Sequence, residues 1–103
     1  MSDGYYKSRE LANRADGLRA ADPAQATELY LEAAALTLVE AREVSSVYLR
    51  GELGASAATL FLRAARPQIV ETVACEFLAS EIDAAARVQL RALLRCAWDQ
   101  MKA

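Results

Sequence analysis

The chain has 103 residues, 54% of them hydrophobic and 25% charged, with only 4 Gly and 2 Pro, no His and a formal net charge of -2. That is one domain's worth of chain with enough apolar residues for a core. It excludes the basic excess by which most nucleic-acid binders displace counterions, and the commonest acid–base side chain and metal ligand.

Roughly a fifth of the residues are Ala, followed by Leu, Arg and Glu. Alanine has the best helix propensity and lets helix backbones approach closely, so the fold is read as all-α, with about five helices and no sheet. One phrase organises them. LRAADP at residues 18–23 returns as LRAARP at residues 62–67. Proline disfavours α geometry in the residue before it but suits the first turn of a helix, so each copy reads as the tight bend of a helical hairpin.

In chain order, Leu11, Ala15 and Leu18 share one face of a first helix, about 5–21. Asp22 is a good N-cap for a second helix, about 23–43. There Ala26, Leu29, Tyr30, Ala33, Leu36 and Thr37 make a broad inner face, while Leu31, Ala35 and Leu38 line the opposite side. A helix apolar nearly all round is expected between neighbours. Ser45 or Ser46 caps a third helix, about 46–65, whose stripe Gly51, Gly54, Ala58, Phe61 and Ala65 is mostly small. Two glycines inside a helix, each costing about 1 kcal/mol relative to Ala, point to close backbone contact. Arg66 is a poor cap, so the second bend is expected to be looser than the first.

A fourth helix, about 67–79, carries Val70, Val73, Ala74, Phe77 and Leu78 inward. SEID at 80–83 resembles a capping box opening a fifth helix, about 83–101. Its inward residues are Ala86, Leu90, Leu93, Leu94, Ala97 and Met101, and Arg87, Arg91 and Arg95 form a polar stripe. The domain over 1–103 is thus two antiparallel hairpins, about 5–43 and about 46–79, closed by a capping helix at about 83–101, the layout of a short helical solenoid. Ala33 and Ala58 are expected at helix crossings.

With the hairpins in place, ATELYLEA resembles a tetratricopeptide repeat, in which a small residue, an aromatic and an Ala recur in the second helix. Ala26, Tyr30 and Ala33 match; Val70, Ala74 and Phe77 match loosely. Ala58 and Phe61 fit the first-helix positions of the second repeat, whereas Arg14 and Gly17 depart from them in the first. The copies stand 44 residues apart, more than the family's usual ~34, so the helices around residues 40–50 must be long. Tyr30 and Ala33 also resemble the microtubule-interacting-and-trafficking domain, a three-helix relative that the second hairpin argues against.

The resemblance to tetratricopeptide repeats implies a fold of stacked hairpins and a concave groove that binds a peptide. Aligning Pro23 with Pro67 puts Arg19 and Arg63 at one family position facing that groove. Leu11, Ala15 and Leu18 share the surface, with Glu52, Ala55, Thr59 and Leu62 from the second repeat. The family's carboxylate-gripping Lys and Asn are replaced by Leu11 and Ala15, which argues against a chaperone-tail clamp. The arginines also suit a plainer role as cations at helix C-termini.

No motif for catalysis stands out. There is no glycine-rich phosphate loop and no CxxC, and Cys75 and Cys96 are single thiols read as reduced core or boundary residues. No cofactor or metal is implied. No run of ~18 apolar residues suggests a membrane span, and MSDGYYKSRE lacks a leader's apolar core, so a cytoplasmic location is expected. Arg outnumbers Lys ten to two, which points to a GC-rich bacterial genome. The expected function is a non-catalytic adaptor or scaffold that binds a peptide or helix of a partner protein, with an acidic segment suited to the arginines. A self-associating helical protein, pairing as a homodimer through its groove, is the alternative. A nucleic-acid accessory using Arg87, Arg91, Arg95, Lys102 and Trp98 is the weakest reading. Tyr5 and Tyr6 either pack over the first helix or offer an aromatic contact.

Overall fold

The computed structural model describes residues 3–103. They form five α-helices and no strand: α1 (Asp3–Leu18), α2 (Pro23–Glu43), α3 (Val47–Arg63), α4 (Pro67–Leu78) and α5 (Ala84–Lys102). Successive helices pack as α1 on α2, α2 on α3, α3 on α4 and α4 on α5, and α5 also returns onto α3. The α3 helix therefore packs on three neighbours, whereas α1 packs closely on α2. None of the described helices is long and apolar enough to cross a membrane.

Both bends fall at the repeated phrase, yet they close differently. At the first, the Asp22 carboxylate accepts the Gln25 amide at 3.1 Å, capping α2. At the second, Arg66 makes no side-chain cap for α4. Its guanidinium turns back instead and donates to the Ala64 carbonyl at 2.9 Å, at the end of α3. The backbone adds a Schellman turn, with Arg66 N–H bonded to Phe61 O and Ala65 N–H to Leu62 O, both 3.0 Å. The second bend is thus tied rather than loose, because a cation suits the carbonyl end of a helix as a carboxylate suits the amide end.

Ala65 holds the Schellman turn at φ 57°, the one left-handed non-glycine residue among those described. A Cβ there costs about 1–2 kcal/mol. Ala65→Gly is therefore expected to stabilise the protein by about 1 kcal/mol, read as a higher urea midpoint, while Ala21→Gly in the other copy should give no gain. Equal effects at the two sites would contradict the difference between the bends.

The core follows the apolar spacing. Tyr30, Val70, Phe77 and Leu90 are enclosed, and Ala33 and Ala58 are fully buried. The small face of α3 meets two helices: a Cβ on Gly51 would come within 2.6 Å of the Ala86 methyl, and one on Gly54 within 2.7 Å of the Phe77 ring. Ser8 of α1 is buried against α2, where its hydroxyl donates to Ala33 O at 2.9 Å and pairs with Thr37.

Several positions depart from the periodic reading. The α2 helix is sandwiched only in part: Ala35 is open and Val39 is 51% exposed, since α1 and α3 cover its inner sides alone. Met101 is exposed at the frayed end of α5, and Ala65 lies outside α3 in the bend. Cys75 and Cys96 are exposed. The SEID box does not form. Ser80 donates to Glu76 O at 3.1 Å at the end of α4, and α5 starts after Asp83. Arg87 completes this junction by donating to Leu78 O at 2.9 Å and Ser80 O at 3.0 Å.

Arg42 of α2 grips Glu76 of α4 with two bonds, of 2.9 and 2.7 Å. The hydrogen bond from Arg42 holds the Glu76 carboxyl below its ordinary range, with the guanidinium charge adding to the effect against partial desolvation. A depressed folded pKa gives stability that is present above the unfolded value, about 4.3, and is lost as pH falls through the folded one. Glu76→Gln should therefore flatten the acid limb of a urea-midpoint-versus-pH curve below about pH 5. A curve parallel to wild type would show that the pair is not held in solution.

Candidate functional site

Where α1 and α3 face each other they do not pack along their lengths, and a groove of about 440 Å³ runs between them. It exists because α2 holds both helices apart, with Thr37 reaching its floor. The α1 wall carries Tyr5, Arg9, Ala12, Asn13 and Asp16, and the α3 wall carries Leu49, Glu52, Ser56, Thr59 and Arg63; Gln89 of α5 closes one side. Two cations and two carboxylates leave the walls without net charge. The side chains of Asn13, Ser56 and Gln89 make no hydrogen bond to another described residue. They are free to meet the peptide groups of a bound chain, as a mixed polar groove requires.

The structure brings together part of the expected surface. Glu52, Thr59 and Arg63 line the groove, and Arg19 sits just beyond its end. Leu11, Ala15 and Ala55 are in the core, at 6%, 0% and 1% exposure, while Leu18 and Leu62 are half-buried against it. The correction has a simple geometric cause. Successive helix residues are turned by about 100°, so the face that packs α1 on α2 cannot also line an open groove. The working stripe of α1 is Tyr5, Arg9, Ala12 or Asn13, and Asp16, spaced by three or four residues like the apolar one and displaced from it around the helix. That polar spacing was the available signal.

At the bend end of the groove, the Tyr30 hydroxyl donates to Asp16 Oδ1, and Arg63 Nη1 stands 3.8 Å from the same oxygen. Burial, followed by the hydrogen bond and charge of Asp16, raises the Tyr30 hydroxyl above its ordinary pKa; Arg19 and Arg63 oppose that rise. A smaller recess of about 110 Å³ opens beside them, lined by Arg19, Pro23, Ala26, Thr27, Tyr30 and Arg63. At the other end Tyr48 is raised by the negative charge of Glu52 and a hydrogen bond to it. Tyr5 is half-buried in the groove wall, edge-on to Tyr6, with ring centroids 5.5 Å apart.

The stripe on α5 is not assembled as expected. Arg87 is committed to the α4–α5 junction. The Trp98 indole donates to Glu71 Oε2 at 2.6 Å, which places a carboxylate beside the ring. Both features work against a phosphate-binding face. Among the described residues no group of three or more acidic or Cys side chains is placed to hold a metal ion. Comparison of the chain with protein-family models, curated proteins and solved structures found no match.

Proposed function

We propose that this chain is a small, non-catalytic, cytoplasmic interaction module of the tetratricopeptide-like kind, holding a peptide or helix of a partner protein between α1 and α3. The observation that carries this reading is the groove itself, open along two helices, where the side chains of Asn13, Ser56 and Gln89 have no hydrogen-bond partner among the described residues. Supporting it, α2 backs the groove and is clasped on its far side to α4 by Arg42 and Glu76, which leaves the mouth between α1 and α3 open. Self-association through Leu11, Ala15 and Leu18 finds less support, because Leu11 and Ala15 are enclosed in the monomer and Leu18 is largely packed.

A groove this short buries little area, so a single contact should be of modest affinity. Ser56 is exposed on the α3 wall and faces the space directly. Ser56→Trp fills the groove without entering the core. The test is affinity, by calorimetry, for the partner segment recovered with the wild-type chain. A loss of about tenfold or more, with an unchanged denaturation midpoint, supports the groove; unaltered affinity rejects it.

A further inference from the structure

We propose that the recess between Arg19 and Arg63 is a carboxylate subsite, which receives an acidic side chain of the segment lying in the adjoining groove. The proposal rests on the groove reading and adds the chemistry of what the groove selects. Three stretches of chain converge there: Arg19 from the first bend, Tyr30 and Thr27 from α2, and Arg63 from the last turn of α3. Two guanidinium groups thus border one small space, although they stand far apart in sequence.

Their charge is incompletely answered from within the protein. Among the described residues Arg19 has no carboxylate at ion-pair distance, and Arg63 has only Asp16 at 3.8 Å. That distance is too long for a hydrogen bond, and the oxygen concerned already accepts the Tyr30 hydroxyl. Pro23 and Ala26 supply apolar surface beside the Thr27 and Tyr30 hydroxyls, and a charge-assisted bond is stronger than a neutral one. The planar fork of a guanidinium matches the two oxygens of a carboxylate. Because Arg63 lines both the recess and the groove, and Asp16 beside it lines the groove, a chain in the groove arrives with a side chain beside Arg63. Asp16 is then a resident competitor that an incoming carboxylate must outdo.

The test is a chemical-shift titration of the full chain, reading the arginine Nε–Hε signals, with N-acetylglutamate methylamide against the glutamine analogue at constant ionic strength. Saturable shifts at Arg19 and Arg63, produced by the glutamate compound alone, are expected. Arg19→Gln/Arg63→Gln should abolish saturation, and Asp16→Asn should tighten binding by about threefold through release of Arg63. A linear response, or equal shifts at Arg91 and Arg95, would overturn the subsite, as would saturation that survives the double variant. Unchanged affinity in Asp16→Asn would overturn the competition. The titration involves no partner segment, so its failure is distinct from failure of the groove, which Ser56→Trp reports.

Discussion

Gly54→Ala is expected to destabilise the protein by about 1–2 kcal/mol, even though it replaces a poor helix former with the best one, a gain of about 1 kcal/mol taken alone. The reason is space. The added Cβ would stand 2.7 Å from Cγ of Phe77, a ring that is 2% exposed and has no flexible end to swing aside. Overpacking of this kind costs about 1–3 kcal/mol, and a contact to the fixed root of a buried ring belongs at the upper end or beyond. Gly51→Ala should act in the same direction, by pushing Ala86 and α5 away. Gly17 supplies the control: no atom lies within 4 Å of a Cβ placed there, so Gly17→Ala should stabilise α1 slightly. In thermal melts each kcal/mol corresponds to about 4–8 °C for a domain of this size. A rise in melting temperature for Gly54→Ala would mean that α3 and α4 are not packed as closely as described.

The largest expected effect on binding comes from reversing two charges. Arg19→Glu/Arg63→Glu should weaken the partner complex by well over tenfold, because two attractions are replaced by two repulsions beside the resident Asp16. Solvent-exposed ion pairs contribute only about 0–1 kcal/mol each; the new like-charge repulsion supplies the remainder. The fold should survive, since Arg19 lies in a bend and the Arg63 side chain is 42% exposed. The matched control is Arg91→Glu/Arg95→Glu, which also reverses two charges but on the open face of α5. Arg87 is unsuitable for that control because it bonds the end of α4. Calorimetry with the same partner segment decides. If the control abolishes binding and the Arg19/Arg63 variant does not, α5 is the working surface.

The helices and their order were legible because local signals agreed at each boundary. Pro23 and Pro67 open helices, Asp22 and Ser46 cap them, and the glycines of α3 mark the side where neighbours come closest. The site was legible only in part. Glu52, Thr59, Arg19 and Arg63 were found through a resemblance, which aligns positions but does not measure rotation about a helix axis. A shift of one residue moved Leu11 and Ala15 from groove to core. The pairing of Tyr30 with Asp16 is hidden for another reason: they are 14 residues apart, and no local pattern says that a hydroxyl on one helix will choose a carboxylate on another. Ser80 and Arg66 show the limit of capping rules. By position each belongs to the start of the helix ahead, yet each serves the carbonyl end of the helix behind.

The unequal support of the two groove walls has a mechanical consequence. The α3 wall is braced on three sides, by α2, α4 and α5, whereas the α1 wall leans mainly on α2. A change in the width of the groove therefore costs least as a tilt of α1, which repacks chiefly the α1–α2 interface. The hydroxyl pair of Ser8 and Thr37 lies in that interface, and the link between Asp16 and Arg63 spans the opening near its far end. The protein is built as a vice with one fixed jaw and one sprung jaw, and the spring is the seam between α1 and α2.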